Sequence, residues 1–242
     1  MQIVSLVPSQ TELIHDLNLN KELVGVTNFC LHPEHLRAEK TIIGGTKNVN
    51  VEKVKKLQPD FICANKEENT KATVEELSKE FDVHLADFHS IEGALDLILE
   101  YGKLFNRNLE ARQLHQEITQ LIAQTQAELK ETSPLEVAYL IWKDPIMVAG
   151  NNTFINSMLK LFKLDNVFSH LERYPVIDEN DLQESDLVLF SSEPYPFNKK
   201  NIKEINLANT AYQIVNGEFF SWYGSRMKKA IPFLLEWRKG LT

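Results

Sequence analysis

The chain has 242 residues, 43% hydrophobic and 25% charged, enough for one large core or two smaller ones and ordinary for a globular protein. Its 34 acidic and 26 basic residues give a formal charge of -8, and patches such as Lys53 to Lys56 read as solvated helix faces, so no nucleic-acid partner is expected. No run of 18 apolar residues occurs, so no membrane span is expected, and two cysteines are too few for a disulfide scaffold.

Met1 to Pro8 carry no basic region, long apolar run or small-residue cleavage site. As it stands the sequence reads as cytoplasmic, and as periplasmic or surface-anchored if a leader has been removed. From there, short apolar runs alternate with amphipathic stretches. Ile3 to Val7, Leu23 to Val26, Phe61 to Cys63 and Val83 to Leu85 read as buried strands. Thr11 to Leu17, Val51 to Leu57, Thr73 to Phe81 and Ile91 to Phe105 read as the helices between them. From Asn108 to Lys130 there is no Gly, Pro or strand, and Leu114, Ile118, Leu121, Ile122, Thr125 and Leu129 share one helix face. Thr132-Ser133-Pro134 stops that helix, and Val137 to Trp142, Leu187 to Phe190 and Tyr212 to Val215 read as further buried strands.

This alternation is the pattern of an α/β protein with mostly parallel sheets. The expected architecture is two α/β lobes: residues 1–106, a bridging helix at 107–132, and residues 133–242. An ordinary long surface helix in a single domain is the alternative. The halves echo each other. Lys53 to Gln58 leads into Asp60 and a strand, and Asp178 to Gln183 leads into Asp186 and a strand.

Several segments bear on chemistry. Ser9 as N-cap with Glu12 three residues on reads as a capping box, placed where the first strand of an α/β sheet gives way to a helix, a common ligand position. Cys30, His32 and His35 form a C-x-H-x-x-H run that invites a metal, but no convincing fourth ligand lies nearby, and a loop histidine is the preferred reading. Cys30 and Cys63 are read as free thiols. No G-x-S-x-G, Walker loop or cysteine with an evident base occurs, and Gly44-Gly45 is not a dinucleotide fingerprint, so no catalytic apparatus and no cofactor are expected. Trp142, Tyr195, Phe197, Trp222 and Tyr223 fall at strand ends and in loops, where rings suit a flat apolar ligand with polar edges. They could instead plug the ends of the sheets. Trp237, on the last helix, reads as core.

The segments Ile3 to Glu12, Leu23 to Thr27 with Cys30 and Pro33, Gln58-Pro59-Asp60, Ile141 to Pro145, Asn166 to Phe168, Ser191 to Phe197 and Trp222 to Arg226 together resemble a known family. It is the helical-backbone (class III) substrate-binding proteins, specifically the vitamin B12 (cobalamin) branch of the iron-siderophore and cobalamin group. The resemblance implies two α/β lobes bridged by one stiff helix. It implies a small-molecule chelate, cobalamin or a related corrinoid, held in an interlobe cleft for ABC-type uptake. By carry-over, Pro8, Ser9, Phe29, His32, Trp222, Tyr223 and Arg226 face the ligand, joined by Trp142, Tyr195 and Phe197 from their place at strand ends. Family members dock an acidic residue of each lobe onto a membrane permease. Glu193 fits that role in the second lobe and Glu67 or Glu68 in the first, with Glu68 preferred, although Lys71 competes for the place. The loop after Ala64 departs from the pattern, offering Asn65 and Lys66 in place of an aromatic residue. The alternative function is a cytoplasmic metal-handling protein or enzyme using Cys30, His32 and His35.

Overall fold

Two sheets carry the apolar runs, in a computed structural model that describes residues 1–241. The first half of the chain forms β1 (Ile3–Ser5), α1 (Pro8–Asp16), β2 (Leu23–Val26), α2 (Leu36–Glu39), β3 (Thr41–Ile42), α3 (Val51–Leu57), β4 (Phe61–Asn65), α4 (Lys71–Leu77) and β5 (Asp82–Ala86). α5 (Ile91–Leu104) and α6 (Asn108–Glu128) follow. The second half forms β6 (Leu135–Trp142), β7 (Met147–Val148), α7 (Phe154–Leu161), β8 (Leu164–Asn166), β9 (Leu187–Ser191), α8 (Lys199–Ile202), β10 (Ala211–Val215), α9 (Gly217–Ser221) and α10 (Met227–Lys239).

The first sheet has the order β3-β2-β1-β4-β5, and every pair in it is parallel. Parallel neighbours need a crossover, which the intervening loops and helices supply. Central β1 is wholly buried, as a strand covered on both faces must be, and Leu13 and Ile14 of α1, with Leu17 just after it, share its core. Gly25 in β2 sits where a Cβ would lie 2.7 Å from Leu57 Cδ1, so α3 closes directly onto the strand. β5 corrects the expectation of a buried strand at Val83 to Leu85. It is an edge with one partner, and Leu85 is exposed.

The second sheet runs β10-β9-β6-β7, with β8 paired to the start of β6. Only β7 is antiparallel. One face of β6 and β9 sends Ala138, Leu140, Val188 and Phe190 into a cluster with Phe168, Leu182 and Phe197. On the next residue Tyr139 meets Phe220 of α9, the alternation that a pleated strand imposes. β10 is likewise an edge: Tyr212 and Ile214 are exposed, contrary to the buried strand expected there. The short β3, β7 and β8 have no counterpart in the apolar runs, being two or three residues long.

The echo between the halves is a shared structural device. Asp60 accepts from Gln2 N through Oδ2 at 2.6 Å and donates its own N–H back to Gln2 O at 2.9 Å. Asp186 does the same with Glu136, at 3.1 and 2.9 Å. In each sheet an aspartate just ahead of the second central strand, β4 or β9, thus clamps a residue at the start of the first, Gln2 before β1 or Glu136 in β6.

The chain divides into two units: Met1–Phe88 with Gly93–Gln116 and Tyr223–Arg226, and the rest, comprising His89–Glu92, Glu117–Trp222 and the chain from Met227 on. α6 is therefore shared, its first nine residues grouping with the first unit and the remainder with the second. These bounds differ from divisions at 106/107 and 132/133 by moving Tyr223–Arg226 to the first unit and His89–Glu92 to the second. α6 ends two residues before the expected Lys130 and is about 32 Å long at about 1.5 Å per residue. Of the six-residue stripe read from the sequence it buries Leu114, Ile118 and Thr125; Leu121 and Ile122 are half-buried, and buried Leu129 follows the helix end. Among the described residues no helix is long and apolar enough to cross a membrane.

Candidate ligand-binding surfaces at the strand ends

In an open parallel sheet a crevice forms where two neighbouring strands send the chain off in opposite directions. In the first sheet these strands are β1, which leads to β2, and β4, which leads to β5 on the other side. In the second they are β6 and β9. The residues after β1, β4, β6 and β9 are therefore the ones each fold places to meet a ligand.

After β1, Pro8 opens α1 and Val7 is the N-cap, with no side-chain cap bond. This corrects the expected capping box. Proline, with φ preset and no N–H to satisfy, starts the helix one residue before Ser9, and Ser9 lies buried in the first turn. Glu12 Oε2 accepts from Arg226 Nε at 2.8 Å, in a pair 4% and 5% exposed. Arg226 is thus held in a buried ion pair.

Gln10 bridges the crevice, its Nε2 donating to Ala64 O at the end of β4 and to Tyr223 Oη at 3.1 and 3.0 Å. Tyr223 is buried, and its ring meets Phe88 edge-on at 4.7 Å. Burial raises the pKa of its phenol, the charge of Glu68 adds to the rise, and hydrogen bonds to Ser9, Gln10 and Asn65 partly offset it. The phenol stays a neutral hydrogen-bonding group. Glu68 is half-buried and its charge also bears weakly on Cys30.

The loop after β2 is pinned from below. Cys30 is fully buried, with Sγ 3.0 Å from Thr11 Oγ1 and 3.2 Å from Thr27 Oγ1. The pinned loop leaves Phe29 exposed, with a ring edge against Gly45, and His32 half-buried. The same geometry speaks against a metal on Cys30, His32 and His35. The thiol points into the core, and His35 packs edge-on against His15 at 5.6 Å. Among the described residues no three His, Cys, Asp or Glu side chains gather to hold an ion. Cys63 is a second buried free thiol.

In the second unit, Trp142 closes β6 and is 40% exposed. Its indole meets Tyr195, from the loop after β9, edge to face at 5.5 Å. These rings border the β6/β9 crevice. Tyr195 is steadied by Phe197 at 4.7 Å and by Asn201 Nδ2, which donates to its Oη at 3.4 Å. Phe197, expected to face a ligand, is itself core: it is 5% exposed and packs against Phe190 at 4.9 Å. Trp222 is 8% exposed, and its Nε1 donates to Glu193 Oε1 at 2.8 Å. Trp237 is half-buried and donates to Gln213.

Gln10 and Phe88 were not singled out in the sequence, and Asn65 was noted only as a departure from the family pattern. Gln10 and Asn65 lie within three residues of the recognised strand ends Val7 and Cys63, and that position was their signal. Phe88 supplies, from after β5, an aromatic side chain that the loop after β4 lacks.

The periplasmic binding protein family matches residues 3–211. An uncharacterized ABC transporter substrate-binding lipoprotein YvrC from Bacillus subtilis is 29% identical over 177 residues, 68% of this chain and 54% of that one. A vitamin B12-binding protein from Pectobacterium atrosepticum is 22% identical over 175 residues, 69% of this chain and 62% of its own. The matches thus span little more than half the length of these curated relatives. The periplasmic heme-binding protein RhuT from Roseiflexus sp. RS-1, in apo form, superposes with a TM-score of 0.86 at 19% identity, over 99% of this chain and 98% of that one. With 209 consecutive residues under one family and the same fold in RhuT, the chain belongs to the periplasmic binding protein family.

Proposed function

We propose that this chain is the substrate-binding component of an ABC-type importer and that its ligand is cobalamin or a related corrinoid. The observation that carries the reading is the exposed Trp142 indole, braced by Tyr195 at the β6/β9 crevice. An exposed tryptophan held in one orientation is an apolar plate with a polar edge, suited to the face of a flat macrocycle. Exposed Phe29 and half-buried Phe88 offer rings at the strand ends of the first sheet. The vitamin B12-binding relative supports a corrinoid among such ligands. A permease partner follows from the same reading, with Glu68 and Glu193 as the acidic residues proposed for docking.

Cyanocobalamin titrated into the protein should quench tryptophan fluorescence saturably, at one ligand per chain. If neither cyanocobalamin nor other corrinoids bind, the reading is lost. A heme ligand is the second reading, favoured by His32, whose partly exposed imidazole beside Phe29 is of the type that serves as an axial ligand to heme iron. Hemin then gives a shifted Soret band that His32→Ala abolishes, while corrinoids leave the protein unchanged.

A further inference from the structure

A network around Glu193 does more than fill space. Its carboxylate Oε1 receives the Trp222 indole N–H at 2.8 Å and lies 2.9 Å from Ser221 Oγ. The backbone beneath is fixed as well. Ser191 Oγ donates to Glu193 O and accepts from Glu193 N at 3.3 Å, and Tyr139 Oη stands 3.1 Å from the same hydroxyl. Gly217 makes the approach possible. A Cβ there would lie 2.4 Å from Ser191 Oγ and 2.6 Å from Glu193 Cγ, so any larger residue would push the loop after β9 away from α9. Gly217 N also donates to Ser192 Oγ at 3.0 Å. Ser221 and Trp222 thus converge on one carboxylate oxygen, while Ser191 and the close approach of Gly217 fix the backbone that carries it, all within the second unit.

An indole has a single donor, and an ionised carboxylate is its strongest neutral-pH acceptor among side chains. A ring held only by packing rotates about its side-chain bonds; a ring whose N–H is tied to a fixed carboxylate has one orientation. We propose that Glu193 is the positioning residue for Trp222, setting the plane of its indole. The link from ring plane to ligand affinity rests on the ligand reading above and on Trp222 lining that same site. The link from carboxylate to ring does not.

The test separates the two. In ¹H–¹⁵N spectra of the ligand-free protein the three tryptophans give three indole N–H signals, and Trp222→Phe identifies the one from Trp222. Glu193→Ala should move that signal upfield and speed its exchange with water at least ten-fold, leaving Trp142 and Trp237 unchanged. Glu193→Gln, which keeps an oxygen acceptor without the charge, should move the signal but keep it protected. Cyanocobalamin affinity should fall about ten-fold in the alanine variant and recover in the glutamine variant. A Trp222 signal unaltered in shift and exchange in both variants overturns the proposal. So does an equal affinity loss in both, which a positioning role restored by the amide does not allow. If Glu193→Ala does not fold, the glutamine signal decides alone, and an unmoved resonance overturns the proposal. If the wild-type protein binds no corrinoid, the ligand reading fails and the indole signals still decide the role of Glu193.

Discussion

Trp142 and Tyr195 meet edge to face with centroids 5.5 Å apart, an arrangement that the aromatic quadrupole favours over a flat sandwich. Because the indole is 40% exposed, removing it leaves no cavity in the core. Trp142→Ala should therefore leave the melting temperature nearly unchanged while weakening cyanocobalamin binding at least ten-fold, about 1.4 kcal/mol. Unchanged affinity would remove this ring from the ligand surface. The thiols lie at the other extreme. Burial pushes Cys63 up to about 12 and raises Cys30 as well, with the threonine contacts offsetting only part of the rise. The thiolate is the reactive form. A thiol-titrating reagent at pH 8 should thus label neither cysteine in the native protein and both after denaturation. Rapid native labelling would show that the β1/β4 region opens.

Elements are joined by ion pairs that respond to acid. Glu76 of α4 bonds Lys55 of α3 at 3.1 Å and Lys79 at 2.6 Å. Glu128 at the end of α6 pairs with Lys239 of α10 and accepts from Gln124 at 2.7 Å. These partners lower both carboxyl pKa values from the ordinary 4.5. A carboxylate lowered on folding stabilises the protein above its unfolded pKa, and that contribution disappears as pH falls through the lowered value. The loss therefore begins near pH 4.5 and continues below it. A protein carrying both Glu76→Gln and Glu128→Gln should show a shallower decline of the urea midpoint between pH 5 and pH 3, and a smaller effect of salt. An identical decline would mean that these exposed pairs contribute nothing.

The element scale is also where the sequence was most legible. β2, α3 and the apolar stripe of α6 match their expected positions, because burial there follows the local period. Exposure at β5 and β10 was not legible, since being an edge depends on strand order, a long-range property. For the same reason strand ends marked Trp142, Tyr195 and Pro8 as candidates, whereas the commitments of Glu12 to Arg226 and Glu193 to Trp222 join residues 214 and 29 positions apart. No local pattern carries such a pairing.

At the scale of the whole molecule, each unit has its own sheet and core, yet the first borrows Tyr223–Arg226 from near the end of the chain. That segment brings the phenol that receives Gln10 and the guanidinium that neutralises buried Glu12. Removing one member of a buried ion pair leaves an uncompensated charge, at a cost of about 3–5 kcal/mol. Arg226→Met keeps most of the side-chain volume and removes only the charge and its donors. Arg226 is followed directly by α10, which belongs to the second unit. If the division is physical, the damage should nonetheless fall on the first. Hydrogen exchange should accelerate across β1, β2 and β4 while β6 and β9 keep their wild-type protection, since local openings follow cooperative units rather than sequence neighbourhood. Glu12→Gln with Arg226→Met, which removes both charges, should recover part of the lost stability. Equal acceleration in both sheets would show instead that the two units open together, with the Glu12–Arg226 pair holding the whole chain.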